Sequence, residues 1–114
     1  MTKALMNWKD LELQVEGHAN AGEPGTDIVC AAVSILTQTL VMTLENAEKR
    51  GRTKLWSKYQ MDKQGAPYGG HLKIRADPGM GNREEIKSYF RFCVNGLKEL
   101  SKEYPKNVWA REVG

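Results

Sequence analysis

Chemistry has few places to start in this sequence, because only two cysteines and two histidines stand among its 114 residues. His18 lies in Gly17-His18-Ala19, at the end of an alternating apolar segment. Cys30 lies in Asp27-Ile28-Val29-Cys30-Ala31-Ala32-Val33-Ser34, where a helical pattern begins, 12 positions further on. A strand end and a helix start joined by such a loop can lie side by side. A thiol in the first turn of a helix is favoured as thiolate by the positive end of the macrodipole and by amides that lack partners. Those amides can also stabilise an oxyanion, and a nearby imidazole supplies the base for thiol catalysis. Asp27 either caps the helix or orients the imidazole as a third member, and the two roles are compatible.

The same residues also have plainer readings. A cysteine in an apolar helix is commonly a small core residue, and composition alone leaves Cys30 open between the two. Cys93, between Phe92 and Val94 and in register with Ile86, Phe90 and Leu97, reads as core. His71 follows Gly69-Gly70 on an expected strand and reads as structural or solvent-facing. No CxxC or HxxxH spacing occurs, so no metal site is expected. No cofactor is expected either, since Gly79-Met80-Gly81 lacks a preceding strand and a third glycine. Trp8, Trp56 and Trp109 are scattered and read as packing or dimer residues.

Composition narrows the class. Charged residues make up 27%, and the net charge of +3 is small for a protein that lives by neutralising phosphates. Nucleic acid is therefore not expected as a partner, and the basic cluster Lys49, Arg50, Arg52, Lys54, Lys58 reads as a solvated helix end. The longest apolar run, Ile28 to Leu36, is nine residues, against the roughly 20 a membrane span needs. No secretory signal pattern opens the chain, and two cysteines 63 positions apart do not make a disulfide scaffold. The expected location is the cytoplasm.

The elements that must position the pair follow from periodicity. Leu11, Leu13 and Val15 alternate with polar residues as in a half-buried strand, and Ala4 to Trp8 reads as an edge strand before it. The segment from Gly17 to Thr26 is loop. A long helix runs from Ile28 to Lys49, its broad apolar stripe predicting that it is largely buried, and Gly51 closes it. Lys54 to Asp62 and His71 to Ala76 form a hairpin across Gly- and Pro-rich turn residues. A second helix spans Glu84 to Tyr104 and is stopped by Pro105, and Val108 to Val113 adds an edge strand. The order (β)β-α-ββ-α-(β) predicts one α+β domain over residues 1–114, a mixed sheet with two main helices packed on it.

At these motifs the sequence resembles the ribosomal-processing cysteine protease (Prp) family. The family pattern is GHA, a short loop, then GxDIVCAAVS, and it stands here as Gly17-His18-Ala19 and Gly25-Thr26-Asp27 to Ser34 with the same spacing. Thr37-Gln38-Thr39-Leu40, Gly96 to Leu100 and Glu103-Tyr104-Pro105 extend the similarity over most of the chain. The resemblance implies Cys30 as nucleophile and His18 as general base, with Gly17, Asp27 and Ser34 supporting the site. It further implies a homodimeric bacterial endopeptidase that removes a short N-terminal extension from large-subunit ribosomal protein twenty-seven. Related enzymes act on phage capsid and scaffold proteins, so a prophage maturation protease is the nearest alternative. A non-catalytic ribosome- or RNA-associated adaptor is the alternative of another class. In a domain this small, specificity should come from a short extended peptide added along a sheet edge.

Overall fold

The computed structural model describes residues 1–17, 28–60, 71–79 and 81–114, the side chains of 57–60 excepted. Alternation builds the first hairpin. β1 (Thr2–Asn7) buries Thr2, Ala4 and Met6, and β2 (Glu12–Glu16) buries Leu13 and Val15. Between them Leu11 takes a positive φ of 48° and is fully buried, so the turn itself feeds the core. α1 (Ile28–Lys49) follows, then β3 (Thr53–Gln60), β4 (His71–Pro78), α2 (Arg83–Glu103) and β5 (Val108–Val113).

The five strands form one mixed sheet in the order β3-β4-β2-β1-β5. β1 pairs with β5 in parallel, and every other pair is antiparallel. Leu13, Leu72 and Ile74 from the sheet meet Leu44 from α1 and Ile86, Phe90 and Leu97 from α2 in one core. The fold is α+β with the expected element order. β1 is not an edge strand, however, because β5 returns to cover its outer side; alternation specifies a strand but not its neighbours.

The expectation that α1 is largely buried fails in an informative way. Val29, Val33, Leu40 and Leu44 are buried on the sheet, but Ile28, Ile35 and Met42 are 72%, 62% and 64% exposed. From Ile28 to Leu44 no residue is charged, so the polar interruptions Thr37, Gln38 and Thr39 leave α1 long and apolar enough to cross a membrane by length and composition. The count of consecutive apolar residues missed this. In the folded chain that helix lays its inner stripe on the sheet. The basic cluster is also not one helix end: Arg52 lies 3.4 Å from Glu85, and Lys54 pairs across the strands with Asp77.

Candidate active site

Gly17 and Cys30, two of the residues singled out from the sequence, lie at one end of the sheet. The pairing Lys3↔Glu16↔His71↔Gln60 aligns the start of β1, the end of β2, the start of β4 and the end of β3. β2 therefore delivers the chain towards position 18 at this end. Gly17 sets the exit. Its φ is +88°, and a Cβ there would collide with the Met1 carbonyl oxygen, so only glycine lets β2 leave so close to the N-terminus. β5 is pinned beside it by Thr2 N–H donating to the Asn107 carbonyl at 2.8 Å.

The start of α1 sits over the same end. Val29 is buried against Val108 of β5, and Cys30, Leu100 and Tyr104 pack around that pair. Cys30 is the third residue of the helix, in its first turn, and half-buried. Ser34, one turn on, is half-buried on the same flank. Thr37 completes that flank, fully buried, its hydroxyl 3.0 Å from the Val33 carbonyl and 3.2 Å from that of Ser34.

His18 and Asp27 lie outside the described residues. The structure thus brings Gly17, Cys30 and Ser34 to one end of the molecule. His71 is at this end too, half-buried on β4 opposite Glu16, and its Nε2 is buried with no hydrogen-bond partner among the described residues. Cys93 is elsewhere. It faces the core beneath α1, donating to the Leu36 carbonyl at 3.6 Å, and burial pushes its thiol up to about 12. Among the described residues no cluster of His, Cys, Asp and Glu could hold a metal ion.

A two-layer α+β domain with a half-buried thiol in the first turn of its principal helix has the form of a small thiol hydrolase. The chain belongs to the cysteine protease Prp family, whose profile matches residues 1–109, and it is a cysteine protease. That membership removes the non-catalytic adaptor alternative. Among solved structures it is similar to the ribosomal processing protease Prp from S. aureus with a covalently linked product peptide. The TM-score is 0.71 at 26% identity, covering 99% of this chain and 100% of that one. The same S. aureus enzyme with a substrate peptide gives a TM-score of 0.64 at 26% identity, over 99% and 100% of the two chains. The SMU.848 protein of Streptococcus mutans gives 0.70 at 28% identity, over 98% and 91%. No curated protein matches the sequence.

Proposed function

We propose that this protease removes a short N-terminal extension from large-subunit ribosomal protein twenty-seven, with Cys30 as nucleophile and His18 as general base. The observation that carries the reading is the placement of Cys30 in the first turn of α1, over the sheet end where β2 leads into position 18. The Cys30 thiolate attacks the scissile carbonyl, and the first-turn amides of α1 receive the oxyanion. The protonated His18 imidazole gives its proton to the departing amine, leaving an acyl-thioester on Cys30. His18 then takes a proton from water, whose hydroxide displaces the thiolate and releases the acid. Gly17 holds the approach of His18 to the site, and Asp27 and Ser34 support it.

The S. aureus similarity favours a ribosomal over a phage substrate, since that relative is a ribosomal processing protease with product and substrate peptides bound. Its bacterial source and the thiol chemistry support action in a bacterial cytoplasm. The protein works as a homodimer. Support for that comes from the exposed side of α1, uncharged from Ile28 to Leu44, with Phe92 of α2, 75% exposed, beside it. Together they border an apolar groove of about 390 Å³ between the helices, a self-complementary face for a second copy.

The family resemblance implies a cut after a small residue that follows an aromatic pair, so the test is turnover of fluorogenic peptides carrying an aromatic-aromatic-alanine segment, the same with alanine replaced by leucine, and the same with both aromatics replaced by serine. The first should be cut and the other two poorly. Cys30→Ala and His18→Ala should each lower its cleavage at least about a thousandfold without loss of fold. Equal turnover of all three peptides would reject specific processing, and residual activity above a few per cent in Cys30→Ala would reject the nucleophile.

A further inference from the structure

Both helices pack on one face of the sheet, and no described element covers the other. Leu72, Ile74 and Ala76 of β4 point into the core, so the alternate residues Lys73, Arg75 and Asp77 stand on the open face. The register carries that face onto β3, where Lys54 lies opposite Asp77 and Trp56 opposite Arg75. Lys58 stands in register with Lys73. On the other side of β4 the register partner of Arg75 is Glu12, whose carboxylate accepts from the Gln14 amide at 2.9 Å.

Two features set this part of the face apart. Among the described residues Lys54, Lys73 and Arg75 make no ion pair, whereas Arg52, Arg91 and Lys98 each hold a carboxylate. Asp77 is the one acidic residue in β3 and β4. The tryptophans differ in the same way. Arg91 lies 4.1 Å over the Trp8 ring and Arg111 5.3 Å over that of Trp109. Among the described residues no cation lies over Trp56, which is 49% exposed. Neither feature serves the fold: a half-exposed indole forgoes burial, and like charges on neighbouring strand positions repel.

We propose that the open face of β3 and β4 docks single-stranded RNA, with one base stacked on Trp56 and the flanking phosphates on Lys54, Lys73 and Arg75. Strands about 5 Å apart and alternate residues about 7 Å apart put all three cations within about 10 Å of the indole, so one short stretch of strand meets them together. The ring decides the occupant: carboxylates of an acidic protein would satisfy the cations and leave the indole bare, whereas a base covers it. An unpaired base is needed, since the bases of a duplex are already stacked on one another. A net charge of +3 hides such a surface, because a total says nothing of where charges gather. The choice of RNA rests on the ribosomal reading above, RNA being the nucleic acid that a ribosomal processing enzyme meets. The face lies across the sheet from α1, so RNA held there leaves Cys30 open to peptide.

Binding is measured on the full chain, without peptide, by the fluorescence anisotropy of a labelled single-stranded RNA of about twelve nucleotides and mixed sequence. The dissociation constant should be on the order of micromolar near 0.1 M salt. Trp56→Ala should weaken it at least about fivefold, and Trp56→Phe should retain most of the affinity. Lys73→Glu and Arg75→Glu should each weaken it about tenfold and flatten its salt dependence. Lys102→Glu, the same charge change on exposed α2, should alter it less than about twofold. Each variant should keep the parent far-UV spectrum and cut short peptides at the parent rate. Absence of binding, or equal losses from Lys73→Glu and Lys102→Glu, overturns the proposal. Equal affinity for an RNA duplex, or displacement by polyglutamate as effective as by unlabelled RNA, overturns the occupant. RNA bound in the expected way by an enzyme that leaves the peptides uncut overturns the substrate reading and keeps this one.

Discussion

The two helices cover the same face of the same sheet, yet they are built on opposite plans. α1 carries no charge from Ile28 to Leu44 and exposes Ile28, Ile35 and Met42. α2 carries nine charged residues and fixes itself to the strands by polar contacts at its outer side. Arg83 donates to the Trp8 carbonyl at 3.1 Å, and Arg91 and Lys98 both reach Glu112 of β5. Each helix holds one cysteine, and the difference in plan decides the chemistry of each. α2 is a clamp and hides its thiol in the core. α1 is the helix that carries the exposed chemistry: it offers its thiol at a helix start and leaves apolar side chains open to solvent.

The sharpest way to break this comparison is to measure the two thiols against one another. Cys30 is half-buried, whereas Cys93 is 2% exposed with its thiol pushed up to about 12 by burial. At pH 6.5 a thiol titrating near 12 holds at least a thousandfold less thiolate than one near the ordinary value of about 8.5. Iodoacetamide should therefore give a single adduct, on Cys30, with Cys93 reacting only after unfolding. Peptide mapping of the alkylated protein reads this directly. Comparable labelling of both residues would show that the second helix does not seal its cysteine. A rate profile inflecting near 8.5 would show that the helix start and His18 do not activate Cys30.

The second contrast concerns the outer faces. Ile35 lies at the centre of the uncharged side of α1, and its solvent exposure means that a polar replacement costs the isolated chain little. In a dimer closed on this face Ile35→Glu would bury a charge with no partner, once in each copy. Sedimentation equilibrium should show the dimer dissociation constant rising about a hundredfold or more, with the far-UV spectrum unchanged. A wild-type protein that sediments as a monomer, or an Ile35→Glu protein that dimerises as well as the parent, would remove the second copy from this face.

How much of this was legible in the sequence depends on the range of the interaction involved. The bounds of α1 and β5, and the burial of Cys93, were readable because periodicity and capping act over a few residues. The place of Cys30 in the first turn of α1 was readable for the same reason, since the helix starts two residues before it. The interior place of β1 was not, since the parallel return of β5 from position 108 leaves no mark on residues 2 to 7. Nor was the reason for glycine at position 17, which is the approach of the Met1 carbonyl. The exposure of Ile35 and Met42 misled for a different reason. An apolar stripe that faces solvent has the same composition as one that faces the core.

The smallest effect expected is also the most specific to α2. Glu112 accepts from Lys98 at 3.0 Å, from the Trp8 indole at 2.8 Å and from Arg91 at 2.7 Å, while the Arg91 guanidinium lies 4.1 Å over the Trp8 ring. The hydrogen bonds from Lys98, then Trp8 and Arg91, and the charge of Lys98 hold its carboxyl well below the ordinary range, at about 2. A carboxyl depressed in the folded state stabilises the fold above its unfolded value, near 4.3, and loses that contribution as the pH falls towards 2. The clasp is partly solvated, with Arg91 and Lys98 side chains 45% and 52% exposed, so screening keeps its worth small. Thermal melts of the parent and Glu112→Gln should differ by about 2–4 °C at pH 6 and converge between pH 4.5 and 2.5. A gap that stays constant across that window would mean that packing alone holds α2 to β5. The same titration should leave Cys30 alkylation, corrected for its own pH dependence, equal in the two proteins, because the clasp lies at the far end of β5 from the start of α1.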